Sequence, residues 1–188
     1  MKIGILGGTF NPIHIGHLIL AEEAREKLKL DRVVFVPAYL PPHKNNSNIA
    51  PAKHRLAMIK LAIQGNNHFF ASGVEIKRGG RSYTIDTLKK FQELYPKDQL
   101  YFITGSDLLN YLDEWKDLKE IVRMVKFVTA TRPGYPLDKI PHYITTIGIR
   151  AVDISGFEVR QCIKKKKSFR YLVAESVYKY IIKYKLYN

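Results

Sequence analysis

An α/β fold, a doubly wound and mostly parallel sheet with helices on both faces, is predicted by three observations. Short continuous apolar runs recur at residues 3–6, 33–36, 100–104, 127–130 and 144–149, with a weaker one at 69–71. Runs without polar alternation suit strands covered on both faces. Helical patterns lie between them, and strand–helix alternation implies parallel strands joined by right-handed crossovers. The third observation is an asymmetry between the two sets of connections. Segments following the strands carry glycine, hydroxyl or cationic residues, among them Gly79, Gly80, Arg81 and Ser82, or Gly105, Ser106 and Asp107, whereas Leu30, Asp31 and Arg32 read as a plain turn. In an open parallel sheet the first set shares the carboxyl edge, where ligands bind at the reversal of strand order. The architecture expected is therefore Rossmann-like, in one domain over residues 1–188.

The first strand runs into Gly7, Gly8, Thr9, Phe10, Asn11 and Pro12, and then into Leu18, Ala21, Ala24 and Leu28 in helical register. That pattern is strand, glycine turn, helix. Free N–H groups and the positive end of the helix dipole meet at such a turn, and the two glycines let an anion approach without meeting a Cβ. His14 and His17, three residues apart on the first helical turn, point the same way toward it. A histidine pair can also be half of a metal site, but no Cys or acidic residue lies close by to complete a ligand set, so no protein-held metal is expected. A second helix is expected over residues 52–63, with Pro51 near its start and Gly65 as its stop, and a third over 85–94, closed by Pro96. Ser155 and Glu158 form a capping box that starts a short helix through Arg160 and Ile163. Arg160 then lies near that helix's start, where a guanidinium can grip phosphate oxygens. Val173, Val177, Tyr180, Ile181 and Tyr184 mark a terminal amphipathic helix.

Composition narrows the class. At 188 residues and 46% hydrophobic, the chain can bury roughly 70% of its unfolded surface in one core. No apolar run approaches the ~20 residues of a membrane span, and a strand, not a signal-peptide core, follows Met1 and Lys2. A cytoplasmic protein with no membrane partner is expected. Cys162 stands alone, which excludes an internal disulfide, and nothing around it suggests an activated thiol. The net charge of +14, from 31 Lys and Arg against 17 Asp and Glu, favours polyanionic ligands. Much of the excess sits at residues 164–167 with Arg170 nearby, which reads as a solvated face; nucleic acid is not the expected partner.

The string from Gly7 to His17 resembles the HxGH signature of the nucleotidyltransferase superfamily. Further motifs are similar to one branch of it, the bacterial nicotinate-nucleotide adenylyltransferases: Pro41-Pro42-His43-Lys44, His54-Arg55-Leu56, Ser82-Tyr83-Thr84-Ile85-Asp86-Thr87, Gly105-Ser106-Asp107, Arg132-Pro133-Gly134 and Lys185-Leu186-Tyr187. The segment from Ile154 to Arg160 looks like the second signature of the superfamily, except that Gly156 and Phe157 stand where relatives carry Ser and Thr.

The resemblance implies transfer of the adenylyl group of ATP to nicotinate mononucleotide, with Mg²⁺ entering on ATP. It implies catalytic roles for His14, His17, Lys44 and Arg160, and contacts to ATP from Gly7, Gly8, Thr9, Phe10, Gly105, Asp107, Arg132 and Ser155. For nicotinate mononucleotide it implies Lys44, Tyr83, Thr84 and Trp115, the last stacking on the ring. Asp107 has a plain alternative as part of a helix start, and Trp115 as partly buried packing. A second reading of the whole chain, a non-catalytic basic nucleotide- or RNA-binding module of the same fold, stays open, as does assembly into a homo-oligomer.

Overall fold

The computed structural model describes residues 1–41, 48–130, 140–150 and 152–188. Six strands form one parallel sheet: β1 (Lys2–Gly8), β2 (Arg32–Pro37), β3 (Phe69–Ala71), β4 (Gln99–Gly105), β5 (Lys126–Ala130) and β6 (Ile144–Ile147), in the order β3-β2-β1-β4-β5-β6. All six apolar runs become strands. The chain order reverses between β1 and β4, which lie side by side from Lys2 against Gln99 to Leu6 against Ile103. A crevice at the carboxyl ends of these two strands follows from that reversal.

Pleating divides the strand residues between two cores. Leu6, Val33, Phe35, Tyr101, Ile103 and Val128 face one side. Helices α1 (Ile15–Leu28), α2 (Ala52–Ala62), α6 (Gly156–Lys164) and α7 (Glu175–Lys183) cover it with Leu20, Ala21, Met58, Ile59, Val159 and Val177. Ile3, Ile5, Val34, Val36, Phe102 and Phe127 face the other. There α4 (Thr84–Leu94) contributes Ile85, Leu88 and Phe91, and α5 (Leu118–Met124) contributes Ile121. Burying such side chains on both faces, at about 1.5–3 kcal/mol each, is what makes unalternated apolar strands favourable.

Three short elements depart from the sequence reading: α3 (Val74–Arg78), a 3-10 helix (Ser106–Glu114) and α5. The first two precede and follow ligand-edge segments read as loops. Gly105, not Ser106 or Asp107, occupies the N-cap of the 3-10 helix, and no side chain caps it. Gly65 has a φ of +90°, which explains why glycine sits just past α2. The basic run at 164–167 is exposed, as is Arg170, and Cys162 packs half-buried on α6. Among the described residues no helix is long and apolar enough to cross a membrane.

Candidate active site

A cleft of about 340 Å³ opens at the carboxyl ends of β1 and β4. Its floor is Gly7, Gly8 and Thr9 from the first strand and turn, with Thr104 and Gly105 from the fourth. One wall is the start of α1 with His14, Gly16 and His17; the other carries Tyr83, Thr84, Trp115 and Lys116. That volume suits a small-molecule site.

His14 is the N-cap of α1 in extended conformation, and His17 is its third residue. The two rings stack with centroids 3.7 Å apart and planes at 37°. The His14 backbone N–H donates to His17 Nδ1 at 3.2 Å. A ring nitrogen that accepts a hydrogen bond carries no proton, so this bond assigns the His17 N–H to Nε2. His17, which lines the cleft, then has Nε2–H left to donate. The Ile15 N–H, bonded to Leu172 O at 2.9 Å, anchors this turn to the segment preceding α7.

Across the cleft, Thr84 opens α4 and Tyr83 caps it in extended conformation with no side chain closing the helix end. The position thus presents backbone N–H groups and the positive end of an eleven-residue helix. Ser82 holds the approach: its N–H donates to Leu40 O at 2.9 Å, and its hydroxyl accepts from the Tyr39 N–H at 2.8 Å. Lys116 Nζ lies 5.0 Å from the Tyr83 ring centre. Trp115 packs against Phe102 and Phe127, with centroids 5.7 Å away in each case, and also lines the cleft.

Other expected residues sit differently. Phe10 is 2% exposed; its ring packs beside Phe35 and His17, so the side chain belongs to the core and only its backbone remains for a ligand. Ser155 caps α6, accepting from the Glu158 N–H at 3.1 Å. Arg160 does not line the cleft: Nη1 donates to Asn11 O at 2.7 Å, and burial draws its pKa down from the ordinary guanidinium value. Ser155 likewise lies outside the lining, and the contact that Arg160 makes here is support of the Asn11 turn. Gly156 explains the departure from the superfamily pattern, because a Cβ there would stand 2.9 Å from Asn11 O. Lys44 and Arg132 lie outside the described residues, and so does the side chain of Asp107; its backbone belongs to the 3-10 helix.

Two buried charges at the ligand edge escaped the sequence reading. Arg55 is 1% exposed and hydrogen-bonds three backbone carbonyls. Glu75, 6% exposed, lines the cleft beneath Ser82 and accepts from the Thr87 hydroxyl at 2.6 Å. Desolvation raises its pKa above the usual carboxylate range, against the hydrogen bonds from Ser82 and Thr87. Arg and Glu are usually exposed; Arg55 nevertheless lies in register with Met58 and Ile59 on the buried face of α2, a local signal of burial, whereas nothing in the sequence around Glu75 marks it as interior.

Comparison with known proteins fits this geometry. The cytidylyltransferase-like family model matches residues 5–162. A nicotinate-nucleotide adenylyltransferase of Bacillus subtilis is 40% identical over 187 residues, covering the whole of this chain and 98% of its own. The chain belongs to the nicotinate-nucleotide adenylyltransferases. The structure of nicotinic acid mononucleotide adenylyltransferase from Plasmodium falciparum complexed with NaAD superposes with a TM-score of 0.83 at 25% identity, over 99% of this chain and 97% of that one. A second structure of the Plasmodium protein, complexed with APC, shares the fold at 24% identity and a TM-score of 0.81, over 99% and 96% of the two chains.

Proposed function

We propose that the chain joins the phosphate of nicotinate mononucleotide to the adenylyl group of ATP, forming deamido-NAD and pyrophosphate. One observation carries this reading: a single cleft at the β1/β4 reversal places the His14–His17 turn opposite the uncapped start of α4. Two anion sites facing one space suit two phosphate-bearing substrates that must meet. An oxygen of the acceptor phosphate attacks the α-phosphorus of ATP, a new phosphoanhydride bond forms, and the bond between α- and β-phosphates breaks with its electron pair leaving on pyrophosphate. The attacking oxygen is already ionised at neutral pH, so alignment and charge stabilisation carry the rate rather than proton removal.

In this reading the N–H groups around Gly8 and Thr9 receive the triphosphate, and His17 Nε2–H donates to the departing pyrophosphate. His14 orients His17 through the backbone bond. Lys44 supplies a cation, Gly105 and Asp107 take the ribose, and Arg132 lies by the base. Thr84 and its neighbouring N–H groups receive the ring carboxylate, with Tyr83 and Trp115 against the ring. Mg²⁺ would enter with ATP and supply charge along its phosphates, held chiefly by phosphate oxygens and water.

Incubation with ATP, Mg²⁺ and nicotinate mononucleotide should release pyrophosphate and deamido-NAD. Nicotinamide mononucleotide should react with kcat/KM about tenfold to hundredfold lower, because charge-assisted hydrogen bonds to a carboxylate contribute about 1.5–3 kcal/mol that an amide does not gain fully. Absence of pyrophosphate with either acceptor would support the non-catalytic binding module instead.

A further inference from the structure

We infer that Arg55 is a positioning residue for the triphosphate, acting through the Thr9–Phe10 peptide; this deepens the function proposed above and rests on it. Arg55 enters from α2 and divides its guanidinium among three segments of the carboxyl edge. Nη1 donates to Thr9 O at 2.8 Å, Nη2 to Tyr39 O at 3.1 Å and Nε to Ala50 O at 2.8 Å. Those carbonyls belong to the turn after β1, the loop after β2 and the segment leading into α2. No carboxylate among the described residues forms an ion pair with Arg55, and Glu75 acts on it only through space. A buried cation without a counter-ion is costly, and its position at a phosphate-handling edge gives the cost a use.

The geometry of the peptide supplies the coupling. The Thr9–Phe10 peptide bond is trans, and a trans peptide directs its C=O and N–H oppositely. With Thr9 O bonded to Arg55, trans geometry turns the Phe10 N–H away from the guanidinium, in a turn whose Gly8 and Thr9 line the cleft. Phe10 itself is left-handed, with φ +48°. Asn11 closes the turn on its far side. Its carbonyl is held by Arg160, its Oδ1 accepts from the Ala50 N–H at 3.0 Å, and its Nδ2 donates to Asn48 O at 2.8 Å. Arg55 and Arg160 thus withdraw carbonyl oxygens from the side on which an anion would dock. A lysine at 55 would keep the charge but lacks the planar fork that serves three acceptors at once.

The test is Arg55→Lys, assayed with both substrates varied. KM for ATP should rise at least tenfold and kcat fall, while the dissociation constant for nicotinate mononucleotide, measured by calorimetry without ATP, stays within twofold of wild type. Unchanged ATP kinetics, or equal losses for both substrates, would overturn the assignment. Should the variant fail to fold, the wild type decides through amide NMR: titrated inorganic diphosphate should move the Phe10 N–H resonance, and a stationary resonance overturns the inference. Wild-type turnover measured on the same preparation separates the two ideas, since full turnover with an unmoved Phe10 amide removes the role of Arg55 and leaves the proposed reaction intact.

Discussion

Replacing Gly156 with serine, the residue that the second signature leads one to expect there, should destabilise this chain. The added Cβ would lie 2.9 Å from Asn11 O and 3.4 Å from Asn11 C, and the nearer atom is backbone. Carbon and oxygen rest at about 3.3–3.6 Å even in close C–H···O contacts, so one partner must retreat by roughly half an ångström. Asn11 cannot retreat cheaply, because Arg160, Ala50 and Asn48 all hold it. The start of α6 must move instead, stretching the Arg160 bond that spans the same gap. Overpacking of this kind costs about 1–3 kcal/mol, against roughly 0.5 kcal/mol regained because serine favours a helix over glycine. The balance is a loss of about 0.5–2.5 kcal/mol, or a fall in Tm of roughly 1–10 °C for a chain of this size. Thermal unfolding followed by circular dichroism measures it. Gly156→Ala should behave alike, since the Cβ and not the hydroxyl collides. A serine variant as stable as wild type would show that the α6–Asn11 contact is loose and that Gly156 is not fitted to it.

Three further outcomes follow from the site. His17→Ala should lower kcat by about 10² to 10³ while KM for ATP changes much less, as expected of a donor used mainly in the transition state; steady-state kinetics reads both, and wild-type kcat would remove His17 from the mechanism. Trp115→Ala should weaken nicotinate mononucleotide binding and spare ATP, whereas equal losses by calorimetry would assign the indole to packing on Phe102 and Phe127 alone. Glu75 binds its proton more tightly in the folded chain than in the unfolded one, because burial raises its pKa. Its contribution to stability is therefore complete below the ordinary carboxylate pKa and drains as pH rises through the raised value. Denaturant titrations across that window should show wild type losing stability relative to Glu75→Gln, and parallel pH profiles would contradict the assignment.

The fold was legible because its signal is local. Every strand sits where a short apolar run stands; the central ones are covered on both faces and so apolar throughout, as residues 33–36 are, while the edge strands expose Phe70, Thr145 and Thr146. Helices α1, α2, α4, α6 and α7 announced themselves by register or by caps. The segments α3 and α5 did not: five and seven residues hold too few turns for periodicity to emerge. Asp117, the cap of α5, also adopts a left-handed conformation that aspartate tolerates without requiring. In the site, spacing was enough to bring His14 and His17 together, and enough to place Thr84 at a helix start.

By itself, then, the sequence determined the order of strands and helices and the edge on which the chemistry-bearing loops gather, because hydrophobic period and turn residues act over a few positions. Tertiary structure decided what individual side chains do there. Arg55 meets Thr9 across 46 residues, and Arg160 meets Asn11 across 149. Register with Met58 and Ile59 turns Arg55 inward, but nothing local to either arginine names the backbone carbonyl that it meets. That choice depends on how closely α2 and α6 approach the turn after β1, and the approach is set by packing over the whole sheet face.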